Sequence, residues 1–144
     1  MLLFIFWSAA YPSIVSTSFA AINSLSLFVP VDDLPICELD LQDIKRIFPE
    51  ELVKKLRLIF FCGTYGDPIW ARDVLPIVKW LRLVNPSLEI GFNTNGSART
   101  EDWWNEMAKI LGSNGYVVFS IDGLEDTNHI YRRWTDYNKI ISNA

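Results

Sequence analysis

The stretch Arg57-Leu58-Ile59-Phe60-Phe61-Cys62-Gly63 decides the fold. It is a short apolar run whose hydrophobic residues follow one another without alternating, and it closes on glycine. A strand buried on both faces of a parallel sheet reads this way. Two further runs share the character: Leu88 to Asn93, closed by Asn95-Gly96, and Tyr116 to Ile121, which leads into Asp122-Gly123. The strand ends at Cys62, Asn93 and Ile121 lie 31 and 28 residues apart, the room one βα unit needs.

Helical patterns fill the intervals. Leu39 to Leu56 reads as helix in two pieces, because Pro49 can open a helix but cannot sit inside one. Ile69 to Val84 sets Trp70, Val74, Ile77, Val78 and Leu81 at helical spacing, and Asn85-Pro86 stops it. Thr100 is a candidate N-cap, with Glu101 and Asp102 in the first turn. Trp103, Met107, Ile110 and Leu111 form one stripe of that helix, which ends near Gly112. A last stripe runs through Ile130, Trp134, Tyr137 and Ile141, and these aromatic stripes are expected to pack in the core. Alternation of strand and helix across short loops predicts the α/β class, with parallel βα units joined by right-handed crossovers.

Charge divides the chain into two parts. Every charged residue falls from Asp32 onward and none in the first 31. Residues 32–144 are expected to form the α/β domain, and residues 1–31 to stand as an uncharged apolar N-terminal segment. Three readings of that segment compete. A secretory signal should open with Lys or Arg, which this one lacks. A membrane anchor over residues 1–22 would need about 20 apolar residues without a breaker, against Pro12 and the serines. The third reading is a buried strand at Leu25 to Val31, preceded by sequence that is not native to a globular fold.

Composition excludes several classes. With 50% hydrophobic and 14% aromatic residues among 144, the chain can bury a core, so general disorder is ruled out. A net charge of -4 gives no reason to expect nucleic acid as a partner. Two cysteines, Cys37 and Cys62, cannot make a disulfide framework or a site needing three thiolates from one chain. The single histidine, His129, lacks spaced partners for zinc and reads as a polar helix-start residue, and no G-x-S-x-G supplies a serine nucleophile. Neither a dinucleotide fingerprint nor a phosphate-loop motif is present.

Chemistry in a parallel α/β sheet belongs at the carboxyl ends of the strands. Three segments fall there: Gly63-Thr64-Tyr65-Gly66-Asp67-Pro68, Asn93-Thr94-Asn95-Gly96-Ser97, and Ser120-Ile121-Asp122-Gly123. Each pairs a glycine, which admits close backbone approach, with a small polar or acidic side chain. Asp67 suits an ammonium group, and Ser120 and Asp122 suit ribose hydroxyls. Each is equally a turn that uses Gly, Asn and Asp for positive φ, and three on successive strand ends leave both readings open.

Together these segments resemble the radical S-adenosylmethionine enzymes. Tyr65-Gly66-Asp67-Pro68-Ile69 is similar to the family's G-G-E-P-L element, and Thr94-Asn95-Gly96 to the T-N-G that closes its third strand. Ser120-Ile121-Asp122-Gly123, followed by His129, Ile130, Arg132 and Arg133, is similar to its S-[IL]-D-G...H-x-x-[IL]-R segment. The resemblance spans about residues 38 to 144 and implies strands two to four of a partial (β/α)6 barrel. It also implies a small-molecule cosubstrate, S-adenosylmethionine, near Gly66, Asp67, Thr94, Asn95, Ser120, Asp122, Arg132 and Arg133. In that reading Asp67 meets the methionine ammonium, Ser120 the ribose, and Arg132 or Arg133 the carboxylate, a bidentate task that suits guanidinium.

Complete relatives hold a 4Fe-4S cluster on C-x-x-x-C-x-x-C, cleave the cosubstrate reductively to a 5'-deoxyadenosyl radical and abstract hydrogen. This chain has two cysteines 25 positions apart, so no cluster is expected on it, and weak cosubstrate binding without catalysis is expected. The last two βα units of such a barrel are expected to be missing after Ala144. Because the family belongs in reducing cytoplasm, the resemblance favours the third reading of residues 1–31 and a cytoplasmic location. The rival expectation is a small α/β module, binding a nucleotide-like ligand or anchored in a membrane, without catalysis.

Overall fold

The computed structural model describes residues 2–7, 38–63, 66–133 and 135–144. Four strands, β1 (Leu2–Trp7), β2 (Leu58–Gly63), β3 (Glu89–Thr94) and β4 (Gly115–Phe119), form one sheet in the order β1-β2-β3-β4. Every pair is parallel, as the βα alternation predicts. The helices are α1 (Leu41–Ile47), α2 (Glu50–Val53), α3 (Val74–Val84), α4 (Glu101–Leu111), α5 (Asn128–Tyr131) and α6 (Tyr137–Asn143).

Strand β1 comes from the uncharged N-terminal segment, for which the sequence leaves three readings open. It pairs along its whole length with β2, Leu2 opposite Leu58 and Trp7 opposite Gly63. An unbroken uncharged run of strand length is suited to a parallel sheet, and that physical fit accounts for the pairing. The candidate strand Leu25 to Val31 lies outside the described residues. Among the described residues no helix is long and apolar enough to cross a membrane.

Helices α1 to α4 share one core with one face of the sheet. Ile59 and Phe61 of β2 stand beside Ile90 and Phe92 of β3 in register, and the rings of Phe61 and Phe92 stack at 4.7 Å. Against them pack Ile44 of α1, Val53 of α2, Ile77 and Leu81 of α3, and Met107 and Leu111 of α4, all buried. The opposite face is only partly covered: Leu58 and Phe60 are half-buried, and Tyr116 and Val118 are exposed. The expectation that β2 is buried on both faces therefore holds for one face only. In that second face Gly91 sits between Phe60 and Tyr116, whose rings meet at 6.1 Å across it. A Cβ at Gly91 would fall 2.6 Å from the Phe60 ring and 2.7 Å from the Tyr116 ring, so the row of rings requires glycine.

Two helical expectations also needed correction. The pattern Ile69 to Val84 is broken into a 3-10 turn, Pro68–Trp70, and α3 beginning at Val74. Pro76 is the reason: it has no N–H to donate and is tolerated only in the first turn of a helix, which fixes the start near Val74. The stripe through Ile130 and Ile141 is likewise two short helices. Thr135 donates its hydroxyl to the Arg132 carbonyl at 2.7 Å, and Asp136 caps a new start by accepting from the Lys139 N–H at 3.2 Å. Ile140 is the buried residue of α6 and Ile130 is 67% exposed, while the Trp134 side chain lies outside the described residues.

Elsewhere the pattern held. Pro49 parts α1 from α2, Thr100 caps α4 by accepting from the Trp103 N–H, and Asn85 ends α3. One arginine locks the amino-terminal side of the sheet. The Arg82 guanidinium donates to the carbonyls of Pro86, Leu88, Ile110, Leu111 and Asn114, at 2.7 to 3.4 Å. It joins the last turns of α3 and α4 to the loop that enters β3.

Candidate functional site

The carboxyl ends of β2, β3 and β4 open into a cleft of about 550 Å³. Of the eight residues nominated from sequence, Gly66, Asp67, Thr94, Asn95, Ser120 and Arg132 line it. Gly63 and Asn93, which open two of the strand-end segments, also line it, as does Trp70, which the sequence places on a helical stripe. Asp122 and Arg133 are not in the lining. Asp122 stands behind Arg132 and pairs with its Nε, and Arg133 is exposed.

Asp67 is tied into hydrogen bonds of the protein itself. Its Oδ2 accepts from the Thr94 hydroxyl at 2.8 Å and from the Asn95 N–H at 2.7 Å, while Oδ1 accepts from the Ile69 N–H at 3.2 Å. A carboxylate offers about four acceptor positions, so three are taken by the protein itself. Asp67 ties the β2 loop to the β3 loop and keeps little capacity for a ligand ammonium.

The β3 loop is held from several sides. Thr94, buried, accepts the Gly96 N–H on its hydroxyl at 3.0 Å, and the Asn95 carbonyl oxygen Oδ1 accepts from both the N–H and hydroxyl of Ser97. Gly96 takes a φ of 70°, and a Cβ there would lie 2.4 Å from the Phe119 ring, so this position needs glycine twice over. From α6, Asn143 donates to the Gly96 carbonyl at 2.7 Å. Arg99, itself at a φ of 72°, donates to the carbonyls of Ile69, Trp70 and Ala71 and so grips the 3-10 turn that follows Asp67.

On the β4 side, Ser120 donates its hydroxyl to Asn93 Oδ1 at 2.7 Å, which joins the ends of β3 and β4. Arg132 is oriented by Asp122, and the loop that carries Asp122 is held by Asn128. Asn128 is fully buried and accepts the Asp122 N–H at 3.0 Å. No motif in the sequence marks Asn128 except its place beside His129. Among the described residues, Nη1 and Nη2 of Arg132, Nδ2 of Asn93 and Nδ2 of Asn95 make no hydrogen bond to protein. The unpaired polar atoms of these three side chains are therefore N–H donors, suited to hydroxyl, carbonyl and anionic oxygens.

A four-iron cluster of the family's kind takes three thiolates from one chain. The whole chain has two cysteines, and among the described residues no group of three or more His, Cys, Asp or Glu side chains could hold a metal ion. Cys62 lies on β2, where burial pushes its thiol pKa up. A scan against protein-family models finds no match for the chain, and a search of curated proteins finds none either.

Proposed function

We propose that the cleft takes a nucleoside-type cosubstrate of the S-adenosylmethionine kind, on an arc of a radical S-adenosylmethionine-type (β/α)6 partial barrel. The carrying observation is the convergence of Gly66, Asp67, Thr94, Asn95, Ser120 and Arg132, from three separate loops, on one cleft. Sequential strand order, with the described helices α1 to α4 packed on a single face, supports the barrel arc, because a doubly wound sheet places helices on both faces. Ser120 and Asn93 would meet hydroxyls, and the Arg132 guanidinium a carboxylate. Without a cluster to chelate the amino acid end, the chain would bind and orient the cosubstrate and not cleave it, and it would act in the cytoplasm.

Affinity follows from the exposed setting. Charge-assisted hydrogen bonds reach about 1.5 to 3 kcal/mol each when well formed, and water competes for them in an open cleft. A dissociation constant near millimolar, about -4 kcal/mol, is expected. Titration of S-adenosylmethionine followed by amide NMR tests this. Saturable shifts at the cleft that weaken about tenfold in Arg132→Gln and measurably in Ser120→Ala support the reading, and shifts unchanged by both variants refute it. The surplus of N–H donors favours a second reading, a nucleotide whose phosphate meets Arg132. Adenosine monophosphate binding more tightly than S-adenosylmethionine would select it.

A further inference from the structure

The sequence sets Trp70 on an apolar helical stripe, yet it is 65% exposed and lines the cleft. Its neighbours do the opposite: Pro68, Ile69 and Ala71 are all buried. One indole is thus left in water by a turn whose other residues are packed away, an unfavourable arrangement for a large aromatic unless something covers it.

The backbone that carries the indole is held from two sides. Asp67 holds the Ile69 N–H, and Arg99 holds the carbonyls of Ile69, Trp70 and Ala71 at 2.6, 3.2 and 2.7 Å. Arg99 does so from a left-handed backbone conformation that a non-glycine residue adopts only under constraint. Around the same cleft stand N–H groups of Asn93, Asn95 and Arg132 that have no hydrogen-bond partner among the described residues. An exposed aromatic face on a held backbone, beside a set of N–H donors, complements a ligand that is flat and apolar at one end and rich in oxygen at the other.

We infer that Trp70 is the stacking platform for the planar base of the cleft's ligand and so a specificity-determining residue. The inference rests on the reading of the cleft as a nucleoside-type site and adds the part that recognises the base. Stacking on an indole face is tolerant of which base is presented, so Trp70 selects for a planar ring and the donors select what is attached to it.

The test uses the full chain labelled with nitrogen-15. Its six tryptophans give six indole N–H signals, and the Trp70 signal is the one lost in Trp70→Phe. Adenosine, which has the base and no charge, is expected to shift the Trp70 indole along a saturating curve. Binding read at the Asn95 backbone amide should weaken about tenfold in Trp70→Ala, equivalent to about 1.4 kcal/mol, and stay within about threefold in Trp70→Phe. Far-UV circular dichroism establishes that both variants keep the fold. Adenosine binding unchanged in Trp70→Ala overturns the inference. So does a loss in Trp70→Ala confined to S-methylmethionine, which carries a sulfonium and no base. S-adenosylmethionine binding that depends on Arg132 and not on Trp70 sinks the inference alone. If neither adenosine nor S-adenosylmethionine binds saturably up to roughly 10 mM, the nucleoside reading of the cleft falls and the inference with it.

Discussion

Replacing Asp67 by alanine separates a loop tie from a ligand contact. The substitution removes three hydrogen bonds to a charged acceptor: 2.7 Å from the Asn95 N–H, 2.8 Å from the Thr94 hydroxyl and 3.2 Å from the Ile69 N–H. Bonds of this kind contribute about 1.5 to 3 kcal/mol each when fully shielded. Asp67 is half-buried and the longest bond is weak, so the summed loss is expected at about 2 to 4 kcal/mol. Asp67→Asn should lose about half as much, because an amide keeps one acceptor oxygen and turns an N–H toward the donors that the other oxygen served. Thr94→Val removes one of the three donors, and the double-mutant cycle of Asp67→Ala with Thr94→Val should give a coupling of about 1 kcal/mol. Urea unfolding followed by far-UV circular dichroism measures each term, with the slope expected to stay constant. An Asp67→Ala chain within about 0.5 kcal/mol of the parent, or a coupling of zero, would refute the loop-tie role and return the carboxylate to the ligand.

Two other predictions concern the frame around the cleft. Arg82→Met should lower stability by about 2 to 3 kcal/mol by stranding the carbonyls at the ends of α3 and α4. Arg82→Lys should recover less than half of that, since one ammonium cannot span the same carbonyls, and urea midpoints equal to the parent's would contradict this. Burial raises the Cys62 thiol pKa, so in a Cys37→Ser background iodoacetamide at pH 8 should alkylate Cys62 more slowly in the folded chain than in urea. The same shift makes the fold lose stability as pH rises above the unfolded thiol's value of about 8.5, where only the unfolded chain readily gives up the proton. Equal alkylation rates in the two states would oppose it.

The sheet was legible where the sequence carries its signal locally. Arg57 to Cys62, Leu88 to Asn93 and Tyr116 to Ile121 are largely apolar runs followed by turn residues, and strands formed at Leu58–Gly63, Glu89–Thr94 and Gly115–Phe119, the last ending two residues short of Ile121. Leu2 to Trp7 carried the same signal, but the uncharged sequence that follows it competed with a strand reading. The helix boundaries failed where one residue overrode a pattern: Pro76 cut the stripe that begins at Ile69, and Thr135 with Asp136 cut the one that begins at Ile130. Strand-end glycines and polar residues were visible because the fold class fixes which end of a strand meets ligand. The role of Asp67 was not visible, since its partners Thr94 and Asn95 lie 27 and 28 positions away. The roles of Asn93 and Arg99 are set in the same way, by neighbours from other loops, and the helical spacing of Trp70 carries no sign that it lines the cleft.

Those long-range ties bear on how the cleft would bind. The β2 and β3 loops are joined at two points, the Asp67 carboxylate on Thr94 and Asn95 and the Arg99 guanidinium on Ile69, Trp70 and Ala71. The β3 and β4 ends are joined at a third, between Ser120 and Asn93. A ligand entering such a cleft would not have to order its walls, so little of its binding energy would be consumed in fixing loops. The same ties occupy three of the four acceptor positions of Asp67, the carboxylate of the lining among the described residues, and that bears on which ligands the cleft can favour. With Asp67 engaged, a positive group gains little from it, whereas an oxygen-rich group finds the Arg132, Asn93 and Asn95 donors still open. Selectivity would then come from the anionic or hydroxylated end of the ligand and from the face of Trp70, with the ammonium of an amino acid contributing least.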